Sequence, residues 1–148
     1  MTDNHINLIK LCVGAEKVED LEVWQAGRAQ AAGLRIEDYE PTHVTRMWPK
    51  RAAEILKGGS LYWVFKGFVL ARQPILRFDP REGTDGITRC AIVMAPKVIR
   101  TQAVPRRPFQ GWRYLKAEDS PPDLPPGRGH DDELPTKMNL ALAEIGLR

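Results

Sequence analysis

The sequence predicts a small α+β domain: a mostly antiparallel β-sheet or barrel carrying about three short helices. Three observations lead there. Short apolar runs dense in β-branched and aromatic residues recur from Ile6 to Gln102, the composition that suits a pleated, half-buried surface. Turn-forming pairs, Lys66-Gly67 and Asp85-Gly86, punctuate the middle of the chain. Helical spacing of apolar residues is confined to three stretches, near 17–32, 49–57 and 136–146.

In chain order, Ile6 to Val13 (INLIKLCV), closed by Gly14, reads as a buried strand. From Lys17 to Ala32, Val18, Leu21, Trp24 and Ala31 recur at helical spacing, and Gly33 suits the stop. Glu16, Glu19, Asp20 and Glu22 crowd the first turns, where the helix dipole favours them. A loop through Glu37–Pro41 leads to a β-prone His43–Met47. Pro49 opens a two-turn helix that Gly58-Gly59 ends. SLYWVFKGFVLARQPILRF then reads as two strands joined at Lys66-Gly67, or as one long bent strand, with Pro74 marking an edge or a bulge. Ile87–Met94 and Lys97–Gln102 are further strands, about five in all. The domain is expected to span 1–116, followed by an acidic, proline-rich arm over 117–134 and a C-terminal helix over 135–148, capped by Thr136.

Bulk composition narrows the function classes. The 148 residues are 43% hydrophobic and 28% charged, ordinary for a globular domain. No run approaches the roughly 18 apolar residues of a membrane span. The N-terminal Met-Thr-Asp-Asn-His lacks the features of a secretory signal, so a cytoplasmic location and no membrane partner are expected. Cys12 and Cys90 sit in apolar runs as free thiols. With no CxxC pair and scattered histidines, no metal site is expected, and no glycine-rich fingerprint calls for a cofactor.

Charge is unevenly spread. Residues 1–41 hold 4 Lys and Arg against 8 Asp and Glu, a balance of −4; residues 42–116 hold 15 against 4, or +11; residues 117–148 hold 3 against 7, again −4. Such a basic block is a field source that favours anionic partners.

Two segments inside that block interleave arginines with aromatic rings. Thr45–Arg51 brings Arg46, Trp48, Lys50 and Arg51 together; Pro105–Tyr114 brings Arg106, Arg107, Phe109, Trp112 and Arg113. Guanidinium forks match phosphate oxygens, and exposed indoles stack on bases. Trp48 and Trp112 serve equally well as core plugs. Lys66 and Arg72, with Arg77, add charge on the presumed strand pair, where alternation keeps them from all facing one way. Catalytic groups are scarce: the block's carboxylates are Glu54, Asp79, Glu82 and Asp85, the last three in one loop, and no catalytic residue is assigned.

The blocks HVTRMWPKRAAEILKGGSLYWVFKG, ARQPIL, DGITRCAIV and RRPFQGWRYL resemble the domain of unknown function family DUF1489, found mainly in alphaproteobacteria. The resemblance covers nearly everything from INLIKLCVG to WRYL and brings no activity with it. At the level of fold, the order HVTR, PKRAAEIL, Gly-Gly, SLYWVF, FVLARQPIL is similar to PUA-like barrels, which include the ASCH and EVE modules. That likeness implies binding of RNA or of modified nucleotides.

The expectation is therefore an RNA-binding module. Arg46, Lys50, Arg51, Arg106, Arg107 and Arg113 would contact phosphates, Trp48 and Trp112 would stack, and Lys66 and Arg72 would extend the face. Two alternatives stay open. One is an enzyme for a small anionic metabolite, with a pocket around His43, Arg46 and Arg72. The other is a module for an acidic protein, with the acidic arm Glu118–Glu133 folding back on the basic face.

Overall fold

The structure, a computed structural model, describes residues 5–125. Strand β1 (Ile6–Leu11) pairs in parallel with β3 (Ser60–Phe65), Leu8 opposite Leu61, and antiparallel with β7 (Trp112–Lys116), Leu8 opposite Tyr114. A parallel pair needs a long crossover. Here it contains helix α1 (Val18–Ala31), a 3₁₀ turn (Ile36–Asp38), strand β2 (Thr42–Thr45) and the short helix α2 (Ala52–Ile55).

Local chemistry fixes α1 at both ends. The Asp20 carboxylate accepts hydrogen bonds from the backbone N–H of Glu16 and Lys17, at 2.9 and 3.2 Å. Gly33, at φ +75°, takes the left-handed conformation after the last turn. Gly33 N then donates to Gln30 O and Leu34 N to Ala29 O, the Schellman pattern that satisfies orphan carbonyls.

Lys66 (φ +45°) and Gly67 (φ +88°) make a two-residue hairpin between Phe65 and Phe68. Positive φ at both central positions is what a type I′ turn requires, and its twist matches that of the strands. Strand β4 (Phe68–Glu82) runs for 15 residues. Its first half carries β3 on one side and β6 (Ile99–Pro105) on the other; its second half pairs with β5 (Thr88–Met94). The turn between β4 and β5 is held by Gly83 N to Ile87 O at 2.9 Å and by the Asp85 carboxylate, which accepts from Ile87 N. Pro74 stands where the neighbour of β4 changes from β6 to β5, beside a register shift at Ile75/Arg77. The gap between those strands tolerates a residue without an N–H.

The strand order is β2-β5-β4-β3-β1-β7, with β6 against β4. It is an open, mixed, seven-stranded sheet, so the fold is a small α+β one and the expected PUA-like barrel is corrected: β2 and β7 end the order and do not pair with each other. Strands exceed the five expected: the short β-prone stretch at His43 does form β2, and β7 arises at the end of the irregular basic run. The second helix shrinks to four residues. The third, over 135–148, lies outside the described residues.

Both faces of β3 are buried, which accounts for its unbroken apolar sequence. On one face Leu8, Leu61, Trp63, Phe65 and Ile92 pack with Val18 and Leu21 of α1; on the other Ile9, Tyr62, Val64, Val69 and Leu115 pack with Phe109. Fully burying such a side chain contributes roughly 1.5–3 kcal/mol. Gly59 lets α2 meet β1, since a Cβ there would collide with the backbone oxygens of Ile6 and Ile55.

Past β7 the chain stays on the sheet beyond residue 116. Pro122 O accepts from Gln102 N, Leu124 N donates to Arg100 O, and Thr101 bridges to Asp123.

Candidate nucleic-acid interface

The two arginine–aromatic segments meet at β7, the end strand of the sheet, one on each face. Strand alternation points Trp112 and Tyr114 to the α1 face and Arg113 and Leu115 to the other. On the α1 face, Trp112 Nε1 donates to Met47 O at 3.1 Å. The Tyr114 hydroxyl accepts from Lys50 N and Arg51 N at 2.9 and 3.2 Å. The Arg51 guanidinium lies 5.6 Å from the Tyr114 ring centroid. Loop 46–51 is thereby moored to β7 by three hydrogen bonds.

On the opposite face two guanidiniums share one ring. Arg106 and Arg113 lie 5.4 and 5.1 Å from the Phe109 centroid. Arg113 also donates to Gln110 O at 2.7 Å, and neither arginine forms an ion pair among the described residues. Two like charges on one ring, without a carboxylate, form a site suited to an anion.

The expected residues divide by what they touch. Arg46, Lys50 and Arg107 are exposed and form no ion pair among the described residues. Trp48 is 40% exposed, an accessible stacking surface, whereas Trp112 is 5% exposed and is a core plug, which corrects its expected stacking role. Arg51 is neutralised by Glu54 at 2.6 Å, and Lys66 reaches Glu16 at 3.5 Å. Arg72 forks onto Asp123 with two bonds of 2.8 Å and donates to Ser60 Oγ at 2.7 Å. Arg77 is held between Glu40 and Asp79.

Arg72 lies opposite Tyr62 in register, whereas His43 packs edge-on against Trp63, so the two occupy opposite faces of the sheet. The pocket expected from His43, Arg46 and Arg72 is therefore corrected. A different one exists. A cleft of about 190 Å³ opens between α1, the end of β1 and the start of β2. Its walls include Lys10, Trp24, Gln25, Arg28, His43 and Trp63, and among the described residues no carboxylate lines it. Trp24 and Arg28 stand one turn apart on α1.

Burial, with Lys10 and Arg28 nearby, pushes the His43 imidazole down to about 4. Burial also lowers the Lys10 ammonium and pushes the Cys12 thiol up to about 12. No sequence pattern marks this cleft, because Lys10 and Arg28 lie in the acidic first block and Lys10 interrupts an apolar strand. Among the described residues no cluster of three or more His, Cys, Asp or Glu is placed to hold a metal, and no helix is long and apolar enough to cross a membrane.

A family model described as protein of unknown function (DUF1489) matches residues 8–148. No curated protein and no solved structure matches the chain.

Proposed function

The chain belongs to the DUF1489 family, whose description assigns no activity, and from the geometry we propose a binding module for a phosphate-bearing partner, RNA foremost, engaged along the β7 edge. The observation that carries this reading is the pair of guanidiniums, Arg106 and Arg113, converging on Phe109 with no carboxylate partner among the described residues. Bringing cations together without a counter-ion costs Coulomb energy in the free protein; a phosphate placed between them removes that cost. Arg46, Lys50 and Arg107 extend the charge around the edge, and Trp48 offers a ring on which a base gains roughly 1–3 kcal/mol by stacking.

Binding of this kind releases counterions, so affinity falls with salt at about 0.7 log units per log unit of salt for each single-strand phosphate neutralised. The test is fluorescence anisotropy of a labelled single-stranded RNA across a potassium chloride series. The Arg106→Ala/Arg113→Ala variant should flatten the salt slope by about 1.4. Binding that is undetectable at low ionic strength, or indifferent to salt, overturns the proposal.

A further inference from the structure

The cleft beside α1 carries charge and shape that the edge reading does not use. Lys10 and Arg28 are among its lining groups, and among the described residues neither forms an ion pair and no carboxylate lines the space. An occupant that balances two such cations is an anion.

The walls are flat as well as charged. Trp63 and His43 meet edge to face, with centroids 6.0 Å apart and planes at 86°. The Trp24 indole forms another wall, and Gly14 backs it closely: a Cβ on Gly14 would lie 3.3 Å from Trp24 Cη2. Aromatic walls of this kind favour a planar ring over a bare inorganic ion.

A third observation concerns Gln25, which is 5% exposed and lines the cleft. Its amide exchanges two hydrogen bonds of 2.9 Å with Gln73. Gln73 is saturated by also accepting from Trp63 Nε1 and donating to Ala95 O. Among the described residues Gln25 has no such second pair, so its amide keeps one N–H and one lone pair beyond this exchange. Ligand pockets place a few polar groups of this kind among apolar walls to fix orientation. The volume suits one ring system with a charged group and excludes a folded polymer.

We propose that this cleft holds a single nucleotide, its ring against the Trp24, Trp63 and His43 walls with Gln25 reading its polar edge, and its phosphate facing Lys10 and Arg28. This deepens the phosphate-binding reading by giving it a second, base-reading site. The nucleotide is either free or one unstacked residue of an RNA strand. The second source fits the topology, because Lys10 lies opposite Trp112 of the β7 edge, and Arg46 follows directly on the end of β2, three residues beyond His43.

The experiment titrates the full chain with each ribonucleoside 5′-monophosphate, the corresponding nucleosides, inorganic phosphate and a short single-stranded RNA. Tryptophan fluorescence and the His43 ring resonances are the readouts. At least one mononucleotide is expected to shift both signals saturably, and to bind at least tenfold more tightly than its nucleoside or phosphate. Arg28→Ala, a change at an exposed position, should weaken that binding at least tenfold while leaving the melting temperature near that of the parent.

Shifts produced by RNA alone, and lost in Arg28→Ala, assign the nucleotide to an RNA strand. The proposal is overturned if phosphate alone binds as tightly as every nucleotide. It is also overturned if neither the mononucleotides nor the RNA moves the His43 signals. His43 lines the cleft and not the β7 edge, so its resonances report cleft occupancy, and their failure to shift and a failure of RNA retention at the edge are separate results.

Discussion

Gln25 of α1 and Gln73 of β4 hydrogen-bond each other twice, amide to amide, both bonds at 2.9 Å. Both side chains are buried, and they join the helix to the sheet at the floor of the cationic cleft. Such a pair must be complete, because a buried amide left without its partner costs about 1–3 kcal/mol. Gln73→Leu would strand Gln25, the Trp63 indole N–H and the Ala95 carbonyl together. A loss of about 3 kcal/mol is expected in urea unfolding. Adding Gln25→Leu should cost less than the sum of the single changes, since the orphaned amide is then removed too.

Tyr114→Phe tests the mooring of loop 46–51 without altering charge. It removes the oxygen that accepts from Lys50 N and Arg51 N. Stability should fall by about 1 kcal/mol. RNA affinity should drop through loosening of Arg46 and Lys50, with the salt slope nearly unchanged. A flattened slope would mean that the tyrosine acts through charge after all.

The His43 imidazole has a direct pH consequence. Its ordinary value is 6.5, and burial with Lys10 and Arg28 nearby lowers it to about 4. The unfolded chain therefore binds the proton more readily, and stability rises with pH over that interval. Full stability is expected above pH 6.5, with up to about 3 kcal/mol lost as pH falls from 6.5 to 4. Unfolding of the parent and of His43→Phe across pH 4–7 checks this, and the variant should lose that part of the dependence. An anion in the cleft should move the imidazole back up, which its ring carbon resonances would report.

Gly59→Ala should be among the most damaging single changes outside the large apolar residues. The added methyl would run into the backbone oxygens of Ile6 and Ile55, groups that cannot rotate away. A destabilisation of about 3 kcal/mol is expected, against little effect for alanine at Gly27, where nothing lies within 4 Å. Thermal melts of the two variants provide the comparison.

What could be read from the sequence follows how local each signal is. α1 carried its own caps, with Asp20 at one end and Gly33 at the other, and Lys66-Gly67 and Asp85-Gly86 announced two hairpins. β2 and β7 were harder, because their partners lie far along the chain: Thr42 opposite Val93, Leu115 opposite Asn7. An open sheet and a barrel contain the same strands and differ only in whether the last pair closes, which no local pattern states. The arginine–aromatic segments were visible, yet their division between two faces of β7 depends on a one-residue alternation that the irregular run VPRRPFQGW conceals. The cleft was invisible for a similar reason. Lys10, Arg28 and His43 come from three elements, and each alone reads as an ordinary surface or strand residue.

The placement of β1 between β3 and β7 also bears on how the protein comes into being on the ribosome. β1 is made before both of the strands that flank it and is among the last to be flanked on both sides, because Asn7 must wait for Leu115. Contacts of such long sequence separation close slowly. Until β7 emerges, the nascent chain presents β1 as a bare edge and carries no mooring for loop 46–51. A chain arrested before Trp112 should therefore retain no RNA, however basic its exposed segments: the proposed binding edge is a property of the finished sheet.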